Sequence, residues 1–175
     1  TIDTSSLALQ YNHGLPRPVY WVLWLWQRLR GEVLVNDKRV LLTRHLNGYQ
    51  LFLRNVVVFN PLLSSEEAFI QRFRQQYHLH LKGMCGKWRI KCHLFDQHNG
   101  ALYPLLEGVG SESGPDEEMW RWIAHKARPT LSVRDERLYD GWQLSESLES
   151  NALVLYEFTP LVPREAETEE IHSPR

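Results

Sequence analysis

Five side chains that favour soft metals fall within sixteen positions of this chain: His78, His80, Cys85, Cys92 and His93. Imidazole and thiolate are the ligands zinc prefers, so His78, His80, Cys85 and Cys92 form the candidate metal set. Their arrangement, H-x-H-x4-C-x6-C-H, lacks the tight C-x2-C or H-x3-H pairing of a specific zinc motif. The expectation is therefore a protein without a cofactor, with zinc as the one ion these residues would accept. On a strand, His78 and His80 would share a face while Cys92 and His93 would oppose each other.

Nucleophilic chemistry is the second option. Cys85 lies in "GMCGK", between glycines and two positions before Lys87, a setting that can lower a thiol pKa. With His78, His80 or His93 it would make a small Cys/His-dependent hydrolase. No G-x-S-x-G, H-E-x-x-H or paired CxxC supports that reading. The glycines at 83, 86, 108 and 110 form neither a P-loop nor a dinucleotide fingerprint. Glu66, Glu67 and Asp96 are isolated, and the acids of 112–118 lie in a Gly/Ser-rich loop, a poor frame for a general acid and base. No catalytic residue is assigned, and the balance leans away from an enzyme.

Charge is divided along the chain. Residues 1–106 carry 13 Lys and Arg against 6 Asp and Glu; residues 107–175 carry 7 against 15. The split either attracts a nucleic acid or acidic partner to the basic part, or draws the two parts together within one fold. The second reading is the simpler. In "KWRIK", Lys87, Arg89 and Lys91 share one strand face and Trp88 and Ile90 the other. With Arg44 and Arg54 they make the candidate nucleic-acid surface, and a nucleic-acid-binding or nucleic-acid-processing protein is an alternative function. Trp88 points away from those cations, so no stacking platform is implied.

Aromatic residues give the leading reading. "RPVYWVLWLWQRLRGEV" holds Tyr20, Trp21, Trp24 and Trp26, and seven Trp occur in 175 residues. Trp, Tyr and Arg dominate interface hot spots. Trp21, Trp24, Arg28 and Trp120 are therefore the candidate partner-binding set of a non-enzymatic regulatory or accessory protein, its partner another protein or a second copy. The eight apolar residues from Val19 to Trp26 fall short of the roughly 20 a bilayer span requires. The chain opens on "TIDTSSLALQYNHG", with neither Met nor a basic-then-apolar leader, which reads as a trimmed or processed chain without a secretory signal. With two cysteines only, a reducing compartment, cytoplasmic or nuclear, is expected.

The elements that must position these groups follow from punctuation and period. Residues 1–17 read as an extended lead-in, 18–159 as one domain, and 160–175 as a disordered acidic tail. A helix is predicted over Pro18–Arg30, with Pro at its start and Gly31 past its end; the competing reading is a buried strand. As a helix it would carry Val22, Leu25, Trp26 and Leu29 on one stripe and Trp21, Trp24 and Arg28 on the next. "EVLV", "RVLLTR", "YQLFLR" and "VVVF" read as a meander turning at Asn36-Asp37-Lys38 and Asn47-Gly48. "SSEEAFIQRFRQQY" reads as a helix opened by a Ser64–Glu67 capping box, with Phe69, Ile70, Phe73 and Tyr77 inward. "KWRIKCHLF" and "ALYPLL" read as a second hairpin, 107–118 as a mobile acidic loop, and Asp116–Ala127 as a short helix carrying Trp120 and Trp122. Residues 129–149 read as irregular around a "YDGW" turn, and "ALVLYEF" as the last strand. The predicted class is α+β: a mostly antiparallel sheet of five to seven strands, two hairpin or meander units plus a C-terminal strand, packed by two or three helices.

Overall fold

Period-2 apolar segments need partners on both edges, and a computed structural model shows how they find them. It describes residues 9–10, 14–58, 67–107 and 114–161. In chain order the elements are α1 (Pro18–Trp26), β1 (Glu32–Asn36), β2 (Val40–His45), β3 (Gly48–Arg54), α2 (Glu67–Ile70, continued by a 3₁₀ turn, Gln71–Phe73), β4 (Gln75–Leu81), β5 (Gly86–Phe95), α3 (Tyr103–Glu107), α4 (Glu117–Lys126), β6 (Thr130–Leu138), β7 (Trp142–Leu148) and β8 (Leu153–Pro160). Six strands form one sheet in the order β1-β2-β3-β8-β5-β6, and β4 and β7 form a second, two-stranded sheet. All these pairings are antiparallel, so the α+β class with a mostly antiparallel sheet holds.

Alternation along the central strands makes two cores. On one face of the large sheet, Leu51, Leu53, Trp88, Ile90, Val154, Tyr156 and Phe158 pack with Tyr77, Trp142 and Leu148 of the small sheet. Trp142 anchors this layer, its ring 5.0 Å from Tyr156 and 4.8 Å from Phe158. On the other face, Trp21 and Leu25 of α1 settle onto Leu41, Phe52, Phe95, Leu153 and Leu155. A satellite cluster joins Leu15 and Leu102 to Ile123 of α4 and Ala127 just past its end. α4 starts where its Asp116 side chain accepts from the Met119 N–H at 2.8 Å, a proper N-cap. Gly31, which leads α1 into β1, sits at φ +86°, and a side chain there would run into the backbone carbonyl of Arg44.

Several sequence expectations need correction. α1 ends at Trp26, before Arg30, and it buries Trp21 and Leu25 while Val19, Val22, Leu23 and Trp26 face outward. A nine-residue helix apolar almost all round carries no stripe by which its inner face can be read. "VVVF" does not extend the meander: residues 55–58 are not in a strand, and Phe59 lies outside the described residues. The helix read through Tyr77 stops at the turn ending at Phe73, and Tyr77 belongs to β4. Its spacing fits both a helical stripe and the Tyr77, Leu79, Leu81 alternation, and pairing with β7 decides. "ALYPLL" contributes helix α3, so β5 has no hairpin partner there. The stretch 129–149 is not irregular but forms β6 and β7. Strands therefore number eight among the described residues. Residues 1–8 and 11–13 of the lead-in, Ser64, 108–113 of the acidic loop and 162–175 of the tail lie outside the described residues.

The divided charge is used internally. Arg28–Glu157, Arg74–Glu149 and Arg89–Asp135 each join the basic first part of the chain to the acidic second part, at 3.0, 2.7 and 2.8 Å.

Candidate functional site

Where α1 crosses the large sheet, a run of aromatic and cationic side chains meets one half-buried carboxylate. Glu157 is the only acid in the apolar run of β8. It lies opposite Lys91 of β5 and two pairs along, on the same face, from His93, which is paired with Leu155. Arg28, in the turn just past α1, reaches back to it at 3.0 Å, and His93 Nε2 lies 3.2 Å from the same carboxylate oxygen. Gln50 of β3 fastens the group: its amide donates to the Arg28 carbonyl at 2.8 Å and to Glu157 at 3.3 Å, and its oxygen accepts from the Arg30 N–H at 2.8 Å. Burial pushes the Glu157 carboxyl up, but hydrogen bonds from His93 and Arg28, together with the charge of both, more than reverse this and hold it at about 2.

Above this polar floor the rings stack edge to face. Trp24 meets the His93 ring at 5.4 Å and Trp21 at 5.8 Å, and Tyr20 meets Trp21 at 4.9 Å. The Arg28 guanidinium lies 4.8 Å over Trp24, within cation–π range. Between these rings, Arg128 beyond α4, and Leu131 of β6, a cavity of about 530 Å³ opens; among the described residues no Asp or Glu lines it.

The sequence-assigned residues are distributed unevenly over this frame. Trp24 and Arg28 come together at the cavity. Trp21 is also there, but as a core residue, 7 % exposed. Trp120 is half-buried against the Leu15–Leu102–Ile123 cluster, and the exposed indoles are Trp26 and Trp122, at 48 % and 49 %. Lys87, Arg89 and Lys91 do lie on one face of β5, opposite the buried Trp88 and Ile90. Arg89 there is engaged by Asp135 through two hydrogen bonds. Arg44 faces the other side of the sheet, across from Tyr49, and pairs with Glu32 at 2.6 Å. Arg54 donates to the Asp37 and Lys38 carbonyls. The five cations are thus not gathered on one surface.

His78, His80, Cys85 and Cys92 do not converge either. His78 bonds Ser145, His80 the Asp140 carbonyl, and the Cys85 thiol donates to the Tyr139 carbonyl. Burial pushes the Cys92 thiol up, which disfavours a thiolate. Among the described residues no group of three His, Cys, Asp or Glu could hold a metal ion. Neither thiol is hydrogen-bonded to an imidazole there. Sequence reasoning missed Glu157, Gln50, Tyr20 and Arg128. A lone acid inside "ALVLYEF" was a usable signal for the first, and the aromatic run itself for Tyr20; nothing local marks Gln50 or Arg128.

No family model matches the chain. Over 154 residues, 87% of the chain, it is 26% identical to an uncharacterised HTH-type transcriptional regulator of Staphylococcus aureus strain N315, and equally to one of strain Mu50 / ATCC 700699. The chain spans about a fifth (21%) of the length of these curated relatives. Its fold is similar to that of the GH39 enzyme from Xanthomonas axonopodis pv. citri, with TM-score 0.69, 13% identity, and coverage of 88% of this chain and 32% of that one. It is also similar to a monomeric beta-xylosidase from Caulobacter crescentus CB15, with TM-score 0.67, 14% identity, and coverage of 89% and 33%. At such identities the likeness is one of fold. Among the described residues no helix is long and apolar enough to cross a membrane.

Proposed function

We propose that the chain is a non-enzymatic regulatory domain that recognises a protein surface, and that its partner is a second copy of itself. One observation carries this: the β1 edge of the large sheet is exposed at all five residues, Glu32 to Asn36, with Val33-Leu34-Val35 at its centre. The exposed side of α1, with Val19, Val22, Leu23 and Trp26, adds apolar surface on the element that leads into this strand. Exposed aliphatic edges are templates for strand pairing. In an antiparallel pairing centred on Leu34, Val33 faces Val35 of the copy and Glu32 faces Asn36, so no like charges within the strand oppose each other. The curated relatives, named as HTH-type regulators, support the reading. HTH proteins commonly act as dimers on paired half-sites, and a domain that pairs two chains suits that architecture.

Nucleic-acid contact is the second reading, supported by the same relatives and by the Lys87–Arg89–Lys91 row. A helix-turn-helix joins its helices by a turn of three or four residues. α3 and α4 are separated by residues 108–116, so they do not form one. Light scattering after gel filtration, from 1 to 100 µM, separates the two readings. A dimer that becomes a monomer on Leu34→Lys, with an unchanged circular dichroism spectrum, supports pairing through β1. A monomer at every concentration overturns it. Salt-sensitive retention on DNA by that monomer transfers the assignment to the basic row.

A further inference from the structure

The cavity under α1 is lined by two arginines, Arg28 and Arg128, and among the described residues by no carboxylate, and nothing in the dimer reading employs it. Trp21 lines it and is more than nine-tenths buried, yet its indole N–H has no hydrogen-bond partner. The Arg28 Nε–H is buried and equally unpaired, although the far end of the same guanidinium holds Glu157. A buried donor without an acceptor forfeits its bonds to water, so native proteins rarely keep two in one place. Arg128, on the opposite wall, is exposed, and its guanidinium makes no ion pair or hydrogen bond among the described residues. The one carboxylate nearby, Glu157, is committed to Arg28, His93 and Gln50.

We propose that this cavity binds a small organic carboxylate with a flat or aliphatic ring body, seated among Tyr20, Trp21, Trp24 and Leu131 with its carboxylate toward Arg28 and Arg128. Charge and hydrogen-bond type select that class. A carboxylate is acceptor-only and carries the charge that Arg128 lacks a partner for. A polyol brings as many donors as acceptors, and among the described lining residues no Asp or Glu is there to receive them. The rings and Leu131 supply the apolar walls that a ring body fills, and about 530 Å³ lies within the range of small-molecule sites. The binding is reversible and involves no covalent step.

Titration of the whole chain tests this with benzoate, phenylacetate, cinnamate and cyclohexanecarboxylate, each beside its primary amide and beside glucose, read by tryptophan fluorescence and thermal shift. At least one acid is expected to bind at or below about 1 mM, with its amide at least tenfold weaker and glucose inert. Arg128→Gln is expected to weaken that acid at least tenfold while leaving the melting temperature of the unliganded chain unchanged. Absence of saturable binding by all four acids at 10 mM, equal binding of acid and amide, or indifference to Arg128→Gln overturns the proposal. Equal binding of glucose also overturns it, in favour of a polyol site.

Discussion

The two edges of the six-stranded sheet are built on opposite plans. β6 is nine residues long and exposed over most of its length, and it carries Arg134-Asp135-Glu136-Arg137 along its middle. β1 is five residues long, and its middle is Val33-Leu34-Val35. Charged side chains on an edge strand discourage another chain from pairing with it, and β6 has them in both signs. Its only interruption is at Leu131 and Val133, which flank the cavity side of β5. β1 guards itself with a single device, the bulge between Val33 and Val35 that shifts its register against β2. A sheet with one charged and one aliphatic edge has one direction in which it can grow.

That contrast can be broken or sharpened by substitution, most severely at the strand the two edges share. Leu155 in β8 is fully buried between β3 and β5. Leu155→Ala is expected to cost about 3 kcal/mol in urea unfolding and to raise hydrogen exchange at β1 and β6 together. Exchange rising at one edge alone would show that the edges unfold as independent units. Next comes Gly31→Ala, which places a side chain at positive φ against the Arg44 carbonyl. It should cost about 2 kcal/mol and loosen β1 while leaving β6 protected.

Association gives the third contrast. Leu34→Lys on β1 is expected to weaken dimerisation at least tenfold in sedimentation, whereas Leu131→Lys on β6 leaves it unchanged. A reversal would move the growing edge to the other side. Acid gives the fourth. Glu157 sits at about 2 in the fold against an ordinary 4.5, so its contribution is complete above about pH 4.5 and is lost as pH falls toward 2. Wild-type stability should decline across that window, and Glu157→Gln should flatten the decline. The smallest effect is expected from Arg89→Ala, whose ion pair with Asp135 is partly exposed: about 0.5 kcal/mol, shrinking further in high salt.

The same contrast explains what could be read in advance. β5 and β8 lie inside the large sheet, so burial writes itself into their residues: "KWRIK" alternates cleanly and "LVLYEF" is almost uniformly apolar. α4 announced itself by its Asp116 cap and its acidic first turn. β6 has water on most of its length, and "TLSVRDERL" therefore lacks the period that marks a strand; only its ladder with β5 makes it one. α1 failed for the opposite reason, since a helix greasy on every side does not say which stripe the sheet will take. Its indoles did point to the right region, and Trp24 and Arg28 stand at the cavity. What joins Arg28 and Gln50 to Glu157 is packing between segments more than a hundred residues apart, which no local spacing records.

β8 comes last in sequence among the described strands, yet stands third from the β6 edge, bonded to β3 on one side and β5 on the other. The meander β1–β3 and the pair β5–β6 have no hydrogen-bonded contact with each other until residues 153–160 arrive. A ribosome making this protein therefore holds two half-sheets, each with an open inner rim of Leu and Phe, until the closing strand emerges. Any delay or truncation just upstream of it would expose both rims at once, and chaperone demand and aggregation during synthesis should peak there.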